Sequence, residues 1–181
     1  MIHLDANFTL NKYGLFVRLV NENDSEFILS LRNNPKLSRF IHSTDNDVEK
    51  QKEWIRNYKI REKDGLDYYF IYYNENTPIG LNRIYDIHET WATGGSWLCV
   101  PGLDTQQSIA TSIINRDIMF ELLGLAEDRF DVRKGNKHVI KMHKMFGAEI
   151  TSENEIDWFF TLKSEIYFQK RIEMMELLGI K

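Results

Sequence analysis

Residues 91 to 147 restrict the fold more than any other stretch of this 181-residue chain. The run Gly95-Ser96-Trp97-Leu98-Cys99-Val100 reads as a strand that ends at Pro101-Gly102, and a long amphipathic helix opens at Asp104 or Thr105. A strand feeding straight into a helix leaves the first N–H groups of that helix, those of Gln106 to Ala110, without intrahelical partners. They sit at the positive end of the macrodipole, where a phosphate or pyrophosphate can be held. A second strand, Arg129 to Arg133, and a second helix, from Gly135-Asn136 to Gly147, follow. Two strands joined through a helix run parallel in a right-handed crossover, which predicts a cleft at the strand ends.

The other segments fill out a mixed sheet. Leu15 to Val20 reads as a strand, and Asn23-Asp24-Ser25 caps a helix carrying Phe27, Ile28 and Leu31 that stops at Asn33-Asn34-Pro35. A longer helix, from about Asp45 to Lys63, has Val48, Trp54, Ile55 and Tyr58 as its apolar positions and ends at Asp64-Gly65. Tyr68 to Tyr73 and Ile79 to Ile87 flank the turn cluster Asn74 to Pro78, so they pair as a hairpin, and Trp91 to Val100 continues the meander. Glu149 to Thr151 and Asp157 to Leu162 are two more strands, after which Ser164 caps a terminal helix with Phe168, Ile172 and Met175 at helical spacing. This order predicts one α/β (α+β) domain over residues 1–181. Its mixed sheet of about seven strands begins with four antiparallel ones and is flanked by helices.

Composition narrows the partners. A chain that is 43% hydrophobic and 13% aromatic fills one substantial core. A formal net charge of −4 argues against a nucleic-acid binder, which needs a basic face to neutralise phosphates. The single cysteine precludes an internal disulfide, and Met1 to Lys12 lack the apolar core of a signal peptide. No apolar run approaches the roughly 20 residues of a membrane span. The expectation is a cytoplasmic protein that meets small molecules or a protein surface, with no metal.

Thr105-Gln106-Gln107-Ser108-Ile109-Ala110-Thr111 aligns with the motif Arg/Gln-x-x-Gly-x-Gly/Ala, and Phe120-Glu121-Leu122-Leu123-Gly124-Leu125 with a Glu-Leu-Gly-Leu ending. Asp131 to Asn136, then Val139-Ile140 and Lys144-Met145-Phe146-Gly147-Ala148, follow a pattern of strand, Asn-opened helix and terminal Lys-Leu-Gly-Phe. Through these segments the chain resembles the GCN5-related N-acetyltransferases, and its whole length follows their plan. The resemblance implies an acyl-CoA N-acyltransferase fold whose sheet splays at the coenzyme cleft. It also implies direct transfer of the acetyl group of acetyl-coenzyme A to a primary amine. In the first motif only Ala110 is a true match. Thr105 and Ser108 depart from it, no Lys or Arg lies between Pro101 and Ser112, and Asp104 brings a carboxylate to the turn. Asp104 and Gln107 also fit a capping-box-like start to an ordinary helix.

On that resemblance, Thr105, Gln106, Gln107, Ser108, Ile109 and Ala110 bind the pyrophosphate. Main-chain groups of Leu98, Cys99 and Val100 meet the pantetheine and the oxyanion, and Asn136 lies near the coenzyme or simply caps its helix. His143 occupies the place of the family's Tyr that protonates the departing sulfur, and imidazole titrates in the range this needs. It also shares a face with Val139, Met142 and Phe146, which fits a core histidine equally. Asp86, His88 and Glu89 are candidates to accept the amine proton, directly or through water, and Cys99 is an inert small hydrophobe. Arg133, Lys134, Lys137, Lys141 and Lys144 form a basic cluster that is either a solvated face or the charge missing from the Asp104 turn.

Ser30 to Pro35, Gln51 to Ile55, and Tyr69 to Ile71 with Pro78 to Gly80 look like the branch containing ribosomal-protein and bacterial amino-sugar-nucleotide acetyltransferases. The acceptor is then a small-molecule amine such as a nucleotide-linked amino sugar, met by Arg32, Arg39, Phe40, Trp54 and Tyr85; taken one by one, these residues fit better an ordinary role, with Arg32 and Arg39 solvated and Trp54 in the helix core. The alternatives are a peptide or ribosomal-protein N-terminus, or a non-catalytic domain that keeps the fold to bind a partner. A homodimer is compatible with each.

Overall fold

The structure is a computed structural model and describes residues 2–41 and 44–181. Met1 lies outside them, as do His42 and Ser43, which belong to the turn expected between the first two helices. β1 (Thr9–Lys12), β2 (Leu15–Leu19), β3 (Asp67–Asn74), β4 (Thr77–Tyr85), β5 (Trp91–Cys99), β6 (Glu127–Arg133), β7 (Glu149–Glu153) and β8 (Asp157–Lys163) form one mixed sheet of eight strands. Their order is β1-β2-β3-β4-β5-β6-β8-β7. Neighbours are antiparallel except β5 and β6, the two strands joined by a helix.

The strand beyond the expected seven is β1. It alternates exposed and half-buried residues, so it carries no hydrophobic pattern to read. Its signal was the turn instead: Tyr13 and Gly14 both have positive φ (53° and 73°), the geometry of a two-residue hairpin joining Lys12 to Leu15.

α1 (Ser25–Arg32) and α2 (Val48–Lys63) pack on one face of the sheet, with Ile28, Leu31, Ile55 and Tyr58 against Tyr69, Ile71, Leu81 and Leu98. α3 (Thr105–Asp117), α4 (Lys137–Met145) and α5 (Ser164–Leu178) contribute to the core on the other face, where Ile113, Ile114, Met142, Phe146 and Tyr167 meet Phe70, Tyr72, Phe130 and Phe160. Removing one of the fully buried rings, such as Phe146 or Phe160, would cost about 3–5 kcal/mol in lost burial and residual cavity. The long helix expected to run from Asp104 to Gly124 is α3 followed by a π-turn, Ile118–Leu122. Buried Asp117 ties this region together, because it accepts from Tyr167 (2.7 Å), Tyr13 (2.9 Å) and Arg171 (2.6 Å) and pairs with Lys12. Among the described residues, no helix is long and apolar enough to cross a membrane and no group of side chains is arranged to hold a metal ion.

The feature that creates a cleft is the brevity of the one parallel pairing. β5 and β6 are paired only at Trp91–Glu127 and Ala92–Asp128, although β5 continues to Cys99 and β6 to Arg133. Where the ladder stops, the N–H of Gly94 donates to the side chain of Asp128 (2.9 Å), so a carboxylate takes the place of a strand partner. A Cβ on Gly94 would come within 2.8 Å of that oxygen, which is why the position has no side chain.

Farther along, Asn82 of β4 lies between the pairs Leu81–Leu98 and Arg83–Gly95, opposite both Ser96 and Trp97. Ser96 has φ of 52°, and the extra residue is a β-bulge. The bulge changes the phase of the strand: Ala92 and Gly94 face α3 before it, Trp97 and Cys99 after it.

Candidate functional site

The turn after β5 does not present free donors. Asp104 is the N-cap of α3, and its carboxylate accepts from the N–H groups of Gln106 (2.8 Å) and Gln107 (3.3 Å), while its carbonyl takes the N–H of Ser108 (2.9 Å). The N–H groups of Ile109 and Ala110 fall within the regular turns of α3, where they bond back along the helix. The expectation of open donors from Gln106 to Ala110 is therefore corrected: a carboxylate of the chain itself occupies the first of them. Ala110 is buried, Ile109 packs half-buried on the core, and the side chain of Gln106 donates to the carbonyl of Leu178 at the end of α5. Thr105 is exposed and Ser108 directs its hydroxyl to Cys99.

Of Leu98, Cys99 and Val100, only Cys99 turns its main-chain groups to the open edge of β5. The N–H of Val100 donates to the carbonyl of Ile79 (2.9 Å), so alternation along an antiparallel ladder also commits Leu98, paired with Leu81, to β4. Cys99, paired with Gly80, then faces the gap. Its thiol is pushed up by burial, which leaves it a small hydrophobe beside Thr111 and Ser108 rather than a nucleophile.

Asn136 opens α4, yet its side chain makes no capping bond. Its N–H donates to Arg133 and its carbonyl accepts from Ile140, and among the described residues its amide has no hydrogen-bond partner. A half-buried amide at a strand-helix junction with both ends unused is available to a ligand.

His143 is buried, 7% exposed, on the face of α4 turned to the sheet. Its ring lies 4.4 Å from that of Phe130 and 6.4 Å from that of Trp97, whose indole N–H donates to Thr111 (2.9 Å). Nδ1 lies 3.1 Å from a guanidinium nitrogen of Arg116. Burial first, and then the Arg116 charge, lower its pKa well below the ordinary histidine range. The imidazole is thus neutral at physiological pH, and the expectation that it titrates in the range of a general acid does not fit this environment.

Arg116, Asp128 and Ser112 were not singled out from the sequence, though a signal existed. Asp128 alternates with Phe130 and Val132 along β6, so a charge stands in a core-facing position, and Ser112 and Arg116 repeat at four-residue spacing on α3.

The opposite face of the cleft is aromatic and cationic. Arg83 pairs with buried Asp67 and lies over the rings of Tyr85 (4.6 Å) and Trp54 (5.1 Å). Trp54 also stacks on Tyr58 and takes Arg61 on its ring, which makes it a wall rather than an open stacking platform. Tyr85 covers Gly95, and its hydroxyl pKa is raised by burial and then by Asp131 across the gap. Arg39 lies over Phe40 at 4.5 Å, and Phe40 in turn reaches Gly135 in the turn before α4. Arg32 donates to Thr44 (2.6 Å).

Asp86 and His88 pair with each other at 3.1 Å on an exposed turn, and His88 stacks on Trp91. With Glu89 they lie at the paired end of β5, away from the open end of the cleft. The basic cluster divides: Arg133 pairs with Asp157 and Lys134 with Glu153, while Lys137, Lys141 and Lys144 border a shallow groove beside Trp158. That groove lies on the side of α4 away from buried Met142, His143 and Phe146, so these lysines do not converge on the Asp104 turn.

Comparison with known proteins follows the same lines. The chain is similar to apo FdhC, described as a nucleotide-linked sugar GNAT, at 36% identity and a TM-score of 0.84, over 96% of this chain and 99% of that one. It also resembles the ribosomal-protein-S5-alanine acetyltransferase of Vibrio fischeri (17% identity, 88% and 98% coverage, TM-score 0.75). The spermidine N-acetyltransferase of Vibrio cholerae in complex with CoA and spermine is comparable (18% identity, 86% and 98% coverage, TM-score 0.72). At such identities the last two speak to the fold alone. No protein-family model matches the chain, and no curated protein sequence does either.

Proposed function

The chain belongs to the GCN5-related N-acetyltransferase family, an acetyl-coenzyme A dependent N-acyltransferase, and we propose that its acceptor is the amine of a nucleotide-linked sugar. The observation that carries this reading is the likeness to a nucleotide-linked sugar GNAT at 36% identity over 96% of the chain. In the proposed complex the pantetheine arm enters between β5 and β6, where pairing stops after Ala92. Cys99 offers its main-chain groups and Asn136 its free amide to the arm, His143 stands beside the thioester, and Thr105 to Ala110 lie along the pyrophosphate. The acceptor lies on the α2 side, where Tyr85 and Phe40 supply flat surfaces and Arg39 a cation for a diphosphate. The setting is the bacterial cytoplasm, and a homodimer is compatible with this reading.

The test is release of coenzyme A thiol from acetyl-coenzyme A in the presence of three acceptors: a nucleoside-diphosphate amino sugar, spermidine, and a peptide with a free N-terminus. Fastest release with the sugar nucleotide supports the reading, and fastest release with the peptide replaces it with N-terminal acetylation. A second reading, a binding domain that keeps the fold without the chemistry, draws on one observation: Asp104 holds the N–H groups a pyrophosphate would need. Flat calorimetric titrations at millimolar acetyl-coenzyme A would favour it.

A further inference from the structure

Arg116 reaches His143 with a donor and nothing else. A guanidinium has five N–H groups, no acceptor, and does not lose its proton in a protein. At 3.1 Å from it, Nδ1 of His143 must therefore accept, and the neutral ring carries its single proton on Nε2. The guanidinium is itself immobilised. Its Nε donates to Asp128 (3.2 Å), a terminal nitrogen donates to the Ser112 hydroxyl (2.7 Å), and its plane lies over Phe130 and Phe146. The second oxygen of Asp128 accepts the N–H of Gly94. All four participants, Asp128, Arg116, Ser112 and His143, are 7% exposed or less. The network thus joins β5, α3, β6 and α4, the four elements that bound the cleft, at the point where the strands part.

We propose that Arg116 and Asp128 are positioning residues that fix His143 as the Nε2–H tautomer, so that this imidazole serves the reaction as an uncharged hydrogen-bond donor and not as a proton donor. This rests on the reading above that His143 stands beside the thioester. A neutral imidazole N–H stabilises developing negative charge but is far too weak an acid to give up its proton. In the transfer, the amine nitrogen bonds to the acyl carbon and the carbon–sulfur bond breaks. The proton shed by the nitrogen passes to water, and the thiolate, hydrogen-bonded by Nε2–H, takes a proton from water. His143 begins and ends the cycle in the same state. Among the described residues, Arg116 of α3 is the charged group in direct contact with it, and Asp128 of β6 acts through Arg116. Trp97, Phe130 and Phe160, from β5, β6 and β8, complete its surroundings without charge.

Long-range proton–nitrogen correlation spectra of the full-length protein read the tautomer directly, with the His143 signals assigned by their loss in His143→Phe. The expected result is one protonated nitrogen, Nε2, unchanged from pH 5.5 to 8 with and without acetyl-coenzyme A. An Nδ1–H tautomer, or an imidazolium forming near pH 6–7, overturns the proposal. Kinetics give an independent arm: His143→Tyr, which keeps a donor, should retain most of kcat, while His143→Phe should lower kcat about tenfold or more with KM for acetyl-coenzyme A nearly unchanged. A limb in the wild-type kcat profile that vanishes in His143→Phe would show proton transfer and also overturn the proposal. Absence of acetyl-coenzyme A binding to the wild-type protein would refute the coenzyme site itself, a different failure.

Discussion

Gly94 shows how one residue can set the shape of a site. Its N–H is held by Asp128 and its missing Cβ leaves room for that carboxylate, so the strands separate at a defined point. Gly94→Ala should destabilise the fold by about 1–3 kcal/mol through this clash and weaken acetyl-coenzyme A binding by more than its stability loss alone explains. Urea unfolding and calorimetry read the two effects separately. A variant with normal stability and affinity would show that the splay does not depend on this contact. None of this was legible in the sequence, where Gly94-Gly95 reads only as a permissive stretch inside a strand. Asn136 was legible as a residue opening a helix, but whether its side chain caps that helix is decided by the dihedral angles of the turn, which composition does not encode. His143 was found by alignment with a family position, while its environment depends on Arg116, 27 residues away in the chain.

At the scale of elements, α3 carries the sharpest conflict. Its N-cap satisfies two donors with a carboxylate, which stabilises the helix and opposes a bound anion. Asp104→Asn keeps an oxygen for the same N–H groups and removes the charge. Coenzyme affinity measured calorimetrically should therefore rise while the melting temperature stays nearly constant. Asp104→Ala should instead cost about 1 kcal/mol of stability, since the cap is lost. Weaker binding by Asp104→Asn would mean that the carboxylate assists the coenzyme. The strand-helix-strand-helix order was readable because apolar periodicity and the punctuation at Pro101-Gly102 and Gly147 are local. The bulge at Ser96 and the two-residue length of the parallel pairing were not, because both arise from neighbouring strands and from Asp128.

At the scale of the molecule, the buried network ties stability to pH. His143 is held neutral in the folded state, with its pKa lowered by burial and by Arg116, whereas in the unfolded chain it protonates below about pH 6.5. The unfolded state then binds the extra proton, so folding stability falls with decreasing pH, by up to about 1.4 kcal/mol per pH unit below that point. Replacing His143 with Phe should flatten the dependence of urea-unfolding stability between pH 5 and 6.5, and an unchanged slope would place its origin elsewhere. The acetyltransferase plan was legible over the whole chain because element order survives where individual motif residues have changed. The acceptor surface was less so: Arg83 was not singled out, and of the two readings of Trp54, a contact for the sugar nucleotide or helix core, the packing favours the second. The most direct measurement of the central claim is acetyl transfer itself. Purified protein with acetyl-coenzyme A and a nucleoside-diphosphate amino sugar should release one coenzyme A thiol for each amide formed, by thiol titration and mass spectrometry. The absence of both coenzyme binding and thiol release, with all three amine classes, would contradict it.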